Sequence, residues 1–177
     1  VVWWLYSGDM VQSLDPVIAA AEPGSARAWT AWELYLTGWV VEQTLAFGYR
    51  DSFDPEAVAA SLYSAPGPKV TIVGKDGMPI LCGGAMEIGP GTMQGWQVAT
   101  MDGWEQDWRL ITRVTRWFMG EMFASGARRL QIIALVSRVN ACAWYKKGLK
   151  MTAEGVTRGY GRNGEDALTF ARLRTDA

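Results

Sequence analysis

The sequence predicts an α/β (α+β) fold, a mixed central sheet of about six or seven strands with helices on both faces. Three observations predict it. Residues Trp96 to Met151 read as strand, polar turn, long helix, strand and short helix, which is a βαβ crossover followed by a βα unit. Asp76-Gly77 and Asn163-Gly164 each stand between β-rich runs, a hairpin signal in both places. The chain has 177 residues, of which 49% are hydrophobic and 20% charged. That is enough apolar material to bury about 70% of the unfolded surface without staples, so residues 1–177 are expected to form one domain.

The elements follow in order. Residues 1–8 suit a strand that ends at Ser7-Gly8; the segment is too short to span a bilayer and has no basic stretch before it. Trp3 and Trp4 are adjacent, so on a strand they face opposite sides. Asp9 can cap a helix over about 10–21, closed by Pro23-Gly24. From Ser25, the spacing of Ala28, Trp29, Trp32, Leu36, Trp39, Val40 and Gln43 predicts a second helix to about Phe47. Asp54-Pro55-Glu56 opens a third, which stops at Pro66-Gly67-Pro68. Val70–Val73 and Pro79–Met86 form the first hairpin, and a Gly- and Pro-rich loop, Gly89–Gly95, leads to a strand at Trp96–Thr100.

After the polar turn Met101–Asp107 comes the helical run from Trp108 to Ser125. Trp104, Trp108, Ile111, Phe118 and Met122 recur at helical spacing, with Arg109, Arg113, Arg116 and Glu121 off that face. Gln131–Val136 is short and continuously apolar, as a buried strand would be. Asn140–Gly148 is a short helix, and Thr152–Gly161 and Ala167–Leu173 are the last hairpin.

Composition excludes several functions. The sequence has no histidine, which removes Ser-His-Asp and Cys-His machinery and argues against zinc. Cys82 and Cys142 sit in apolar contexts without metal spacing, and read as reduced core residues. A net charge of −1 argues against general affinity for nucleic acid or acidic membranes. A local nucleic-acid contact through Arg128, Arg129 and Arg138, with Lys146, Lys147 and Lys150, competes with solvated helix ends as their role. The ten tryptophans mostly suit the core, while some suit a partner surface.

In this order of elements the chain resembles the GNAT (Gcn5-related N-acetyltransferase) fold. Asn140-Ala141-Cys142-Ala143-Trp144-Tyr145-Lys146-Lys147-Gly148 is similar to that family's strand-then-short-helix segment, and Met151-Thr152-Ala153-Glu154-Gly155 to the strand that follows it. The resemblance implies acetyl-CoA as acyl donor. Backbone groups of Gln97, Val98 and Ala99 would meet its pantetheine arm, with Arg109 and Asn140 as further contacts. Tyr145 would be the general acid and Glu87 the base, directly or through water. Counting back from Gly148-Leu149 puts Trp144 at the acid position instead. Packing on the sheet is the plain alternative for Tyr145, and a solvated strand end for Glu87.

The helix start departs from the family. A diphosphate needs a Gly-rich turn whose N–H groups point at the anion. Thr100–Arg109 has one glycine, two indoles and the carboxylates of Asp102, Glu105 and Asp107. A single carboxylate there repels a phosphate charge by about 1–4 kcal/mol. Trp96, Thr100, Trp108-Arg109-Leu110 and the Asn140-led helix are also similar to the GNAT-like internal virion protein A of short-tailed bacteriophages. That likeness implies a non-catalytic virion or assembly protein, made in the bacterial cytoplasm. It would act through contacts with other virion proteins as an oligomer of like or unlike chains, with no cofactor. The competing expectation is an active, cytoplasmic acyl-CoA-dependent N-acetyltransferase.

Overall fold

The computed structural model describes residues 2–4, 66–73 and 79–176. The helices expected over 10–21, 25–47 and 54–65, and the turn at Asp76-Gly77, lie outside the described residues. Seven strands form one mixed sheet: β1 (Val2–Trp4), β2 (Lys69–Val73), β3 (Pro79–Gly89), β4 (Thr92–Ala99), β5 (Arg129–Leu135), β6 (Thr152–Thr157) and β7 (Ala167–Leu173). Their order in the sheet is β1-β2-β3-β4-β5-β7-β6. Among the described residues only β4 and β5 run parallel, because the helix α1 (Met101–Ala124) carries the chain back between them. A short helix α2 (Val139–Ala143) runs into a single π-helical turn, Trp144–Gly148.

β4 begins four residues before the expected Trp96. Gly91, at φ +68, closes a tight turn, and Glu87 pairs with Met93 and Gly89 with Thr92. Most of the expected Gly89–Gly95 loop is therefore strand. The expected polar turn Met101–Asp107 is helical. The Thr100 hydroxyl accepts the Gly103 N–H at 3.0 Å, and capping of this kind starts a helix directly at the strand's end. Gly103 permits the close approach: a Cβ there would lie 2.5 Å from the Cβ of Ile80 on β3.

Asp107 leaves the helical region (φ −120, ψ 22) and kinks α1. Trp104, before the kink, packs against the same core as the residues after it. Beyond it Ile111, Val114, Phe118, Met119, Met122 and Phe123 pack into the core, whereas Trp108, expected on that face, is 46% exposed. The same core takes Leu81 and Ala85 from β3, Leu130 and Ala134 from β5, Phe170 from β7, and Tyr145, Leu149 and Met151 from the segment after α2. Both described helices thus lie against one face of the sheet. Val98 is buried outside this cluster, and Leu135 and Ala167 form a smaller one with Ile133, as alternation along a strand requires of the opposite face. No helix among the described residues is long and apolar enough to cross a membrane.

Candidate functional site

β4 pairs with β3 along its whole length, from Gly89↔Thr92 to Leu81↔Ala99. With β5 it shares only Thr92↔Arg129, Met93↔Leu130 and Gln94↔Gln131. β5 is held along its full length by β7 on its other side. Beyond Gln94 and Gln131 the two parallel strands part, and the β5-facing edge of β4 from Gly95 to Ala99 has no strand partner among the described residues. The parting is pinned by side chains. Gln131 Nε2 donates to Gln94 Oε1 at 3.0 Å, Arg129 Nε donates to Gln131 Oε1 at 2.8 Å, and Arg129 grips Glu154 of β6 with both terminal nitrogens. This polar chain holds the closed end of the fork.

Between the fork and α1 lies an apolar cleft that encloses about 70 Å³ and spans about 560 Å³ with the solvent at its open mouth included. Gly83, Gly95 and Gln97 form its strand side, Leu130 and Ile132 its β5 side, and Phe118 and Met119 its helix side. Gly84 on β3 lets the Trp96 indole lie across the sheet: a Cβ at Gly84 would sit 2.8 Å from that ring. The Trp96 Nε1 is buried without a hydrogen-bond partner among the described residues.

Tyr145 stands beside the fork. The π-helical turn separates it from its neighbour: the Trp144 Nε1 donates to Thr112 Oγ1 on α1 at 2.8 Å, and its ring meets Trp104 edge-on at 4.8 Å. Tyr145 points the other way, and its hydroxyl accepts a hydrogen bond from Gln97 Nε2 of β4 at 3.2 Å. Of the two aromatic residues, Tyr145 alone reaches the fork. Burial pushes its phenol well above the ordinary tyrosine value. A Cys142 thiolate would add to that shift by repulsion, and the Gln97 hydrogen bond opposes it. The phenol therefore stays protonated at neutral pH, and Gln97 occupies one of its lone pairs, leaving its own proton to donate.

The other expected site residues are dispersed. Glu87 lies four residues along β3 from Gly83, which pairs with Gln97; that is about 13 Å of strand. Its Oε1 accepts the Gly91 N–H at 2.8 Å and closes the β3–β4 turn, so the structure does not bring it to Tyr145. Gln97 and Ala99 face α1, and Val98 faces the opposite side. Arg109 is exposed, with its guanidinium 4.7 Å from the centre of the Trp108 ring, and Asn140 is exposed in α2. At the start of α1, Gly103 N–H bonds the Thr100 side chain and Trp104 N–H bonds the Thr100 carbonyl at 3.1 Å. Those two amides are taken, and Glu105 is exposed beside them. The Gly103 amide is thus spent on the cap, and the start offers a diphosphate no glycine-rich cradle.

The cationic group read from the sequence also divides. Arg128 donates to the Pro90 carbonyl, Arg129 is committed to Gln131 and Glu154, and Arg138 lies past the far end of β5. Sequence reasoning gave Gln97 a backbone role only and missed the Gln94–Gln131–Arg129–Glu154 chain. The available signal was a set of glutamines inside otherwise apolar strands.

No family profile matches the chain, and no curated protein matches it. Solved structures do. A ribosomal-protein-alanine N-acetyltransferase of Brucella melitensis superposes with a TM-score of 0.66 at 13% identity, over 86% of this chain and 96% of that one. A GNAT-family acetyltransferase of Bacillus anthracis gives 0.65 at 13%, over 86% and 92%. A spermidine N-acetyltransferase of Vibrio cholerae gives 0.64 at 10%, over 88% and 93%. The chain has the GNAT acetyltransferase fold. At these identities the likeness concerns architecture alone. Within the GNAT fold, the forked pair is β4 and β5, and the helix between them starts at Met101, capped by Thr100.

Proposed function

We propose that the chain is an N-acyltransferase that moves an acyl group from a thioester to an amine. The observation that carries this reading is Tyr145: a buried, protonated phenol held by Gln97 beside the open edge of β4. The amine nitrogen attacks the thioester carbonyl, the C–N bond forms and the C–S bond breaks. Tyr145 Oη gives its proton to the departing sulfur and regains one from water, and the amine proton leaves to water. Gln97 keeps the phenol oriented, and the apolar cleft limits water near the thioester. The free edge of Gly95–Ala99 offers backbone groups to the thioester arm.

The test is acyl transfer from acetyl-CoA to a polyamine and to a peptide with N-terminal alanine, the acceptors that two of the neighbours' names suggest. Transfer is expected, and Tyr145→Phe is expected to lower kcat by about a hundredfold or more with the fold intact. Absence of transfer, together with absence of binding at millimolar thioester, would refute it.

A second reading has its own observation. The capped, acidic start of α1 suits a GNAT-fold scaffold that has lost its nucleotide and acts through protein contacts, as in a phage virion. The comparisons lend the virion role no support, and the same titration separates the two readings.

A further inference from the structure

The geometry points to a donor acyl chain longer than acetyl, received by the apolar cleft at the closed end of the fork. The inference rests on the proposed acyl transfer and adds the class of acyl group. Three observations carry it.

Direction comes first. The fork is shut at Thr92–Gln94 by pairing with β5 and by the Gln94–Gln131 bond, and it is open beyond Ala99. A thioester therefore enters from the Ala99 end. With its sulfur beside Tyr145, at the level of Gln97, its acyl end points toward Gly95 and the cleft. Size comes second. The walls enclose about 70 Å³, the room of about two water molecules and more than the methyl of an acetyl group fills, and the cleft runs on from there to its open mouth. The two carbons of an acetyl group would leave part of that space to water, and water needs polar partners that this wall scarcely supplies. Chemistry comes third. Phe118, Met119, Leu130 and Ile132 form the walls, and no charged side chain lines the cleft among the described residues. A saturated hydrocarbon chain fits that lining, whereas a carboxylated or amino-bearing acyl group would bury an unpaired charge.

Gly95 makes the prediction specific. A Cβ built there meets only the Gln131 carbonyl oxygen at 3.5 Å and the Gly84 carbonyl oxygen at 3.9 Å, both ordinary contacts. A larger side chain therefore grows into the cleft without first breaking the sheet.

The test measures binding of unreactive pantetheine thioethers carrying ethyl, butyl, hexyl and octyl chains to the full chain, by titration calorimetry. Each methylene buried in an apolar site is worth about fourfold in affinity. Hexyl is therefore expected to bind at least about tenfold more tightly than ethyl, allowing for incomplete burial. Gly95→Val is expected to erase that advantage while leaving the melting temperature within a few degrees. Thr115→Phe, which fills the cleft from α1 instead of the sheet, should erase it too. Equal affinity for ethyl and hexyl, or an advantage that survives both variants, would overturn the long-chain inference and leave acyl transfer standing. Failure to bind any thioether, with no transfer from acetyl-CoA, would overturn both.

Discussion

Replacing Tyr145 with phenylalanine removes one buried hydroxyl and one titrating group, and the two losses separate along the pH axis. At pH 7 the variant forfeits the hydrogen bond from Gln97 Nε2. Gln97 is half-buried and lines the cleft, so water can take over its N–H, and the cost is about 1 kcal/mol. The phenol's value is raised in the folded chain, chiefly by burial, so the native state keeps its proton where the unfolded chain has lost it. The stability that depends on this protonated phenol is complete below about pH 10 and is lost as pH rises further. At pH 11, ionisation lowers the free energy of the unfolded wild-type chain by about 1.4 kcal/mol relative to a tyrosine that stays neutral. Phenylalanine has no such term. The variant should therefore be less stable by about 1 kcal/mol at pH 7, equal near about pH 10.7, and slightly more stable at pH 11. Urea unfolding followed by tryptophan fluorescence at pH 7, 9, 10 and 11 measures this, and all other titrating groups cancel in the difference. A gap that stays constant across the range would show that the Tyr145 phenol ionises as freely in the fold as in water, and would remove the argument for its role as an acid.

Three further outcomes are expected. Burial pushes the Cys82 thiol up to about 11 from 9, so folding favours the protonated thiol. Stability present below pH 9 should fall by about 1–3 kcal/mol by pH 11, and Cys82→Ala should flatten that part of a denaturation-versus-pH curve. A curve unchanged by the substitution would place the thiol in contact with water. Gly103→Ala drives a Cβ against Ile80; the overpacking costs about 1–3 kcal/mol and outweighs the helix-propensity gain of about 1 kcal/mol, so the melting temperature should fall. A rise would mean that α1 does not start hard against β3. Glu154→Gln breaks the pair with Arg129, whose side chains are 40% and 26% exposed, so the loss should stay below about 1 kcal/mol at pH 7 in a melting experiment. The Arg129 partner holds the Glu154 carboxyl below its ordinary value, so this small stability is present above about pH 4.5 and is lost as pH falls.

The order of strands and the position of the long helix were legible because each rests on a local pattern. Ala167–Leu173 appears at its expected bounds, and β5 and the first hairpin are displaced by at most a few residues. Two expectations failed at single residues. Gly91 tightened a turn and turned an expected loop into β4. Trp108, next to the kink at Asp107, faces solvent, while Trp104 and Ile111 on either side of it keep to the core. The π-helical turn sent Trp144 to α1 and Tyr145 to β4, and no spacing in the chain distinguishes that turn from an α-helical one. The site was legible only where a backbone argument sufficed. The parting of β4 from β5 is a matter of where pairing stops, and the side chains that stop it, Gln94, Gln131 and Arg129, lie far apart in sequence.

The two ends of the fork make opposite demands on a donor. At the open end, the Thr100 cap and Glu105 give a phosphate little reason to settle. At the closed end, apolar walls reward hydrocarbon. Under the proposed acyl transfer, binding energy would therefore come from the acyl group and its arm more than from the nucleotide. The consequence can be measured by comparing an S-hexyl thioether of coenzyme A with the same thioether of pantetheine. If side chains and amides at the start of α1 gripped the diphosphate, the coenzyme A compound would bind far more tightly, and the difference would shrink with salt, as contacts between exposed charges do. The capped, acidic start requires the reverse: affinities within about threefold of each other, or less than 1 kcal/mol apart, at both low and high ionic strength. A hundredfold preference for the coenzyme A compound that collapses in salt would mean that the first turn of α1 opens to receive phosphate, and the division of labour along the fork would have to be redrawn.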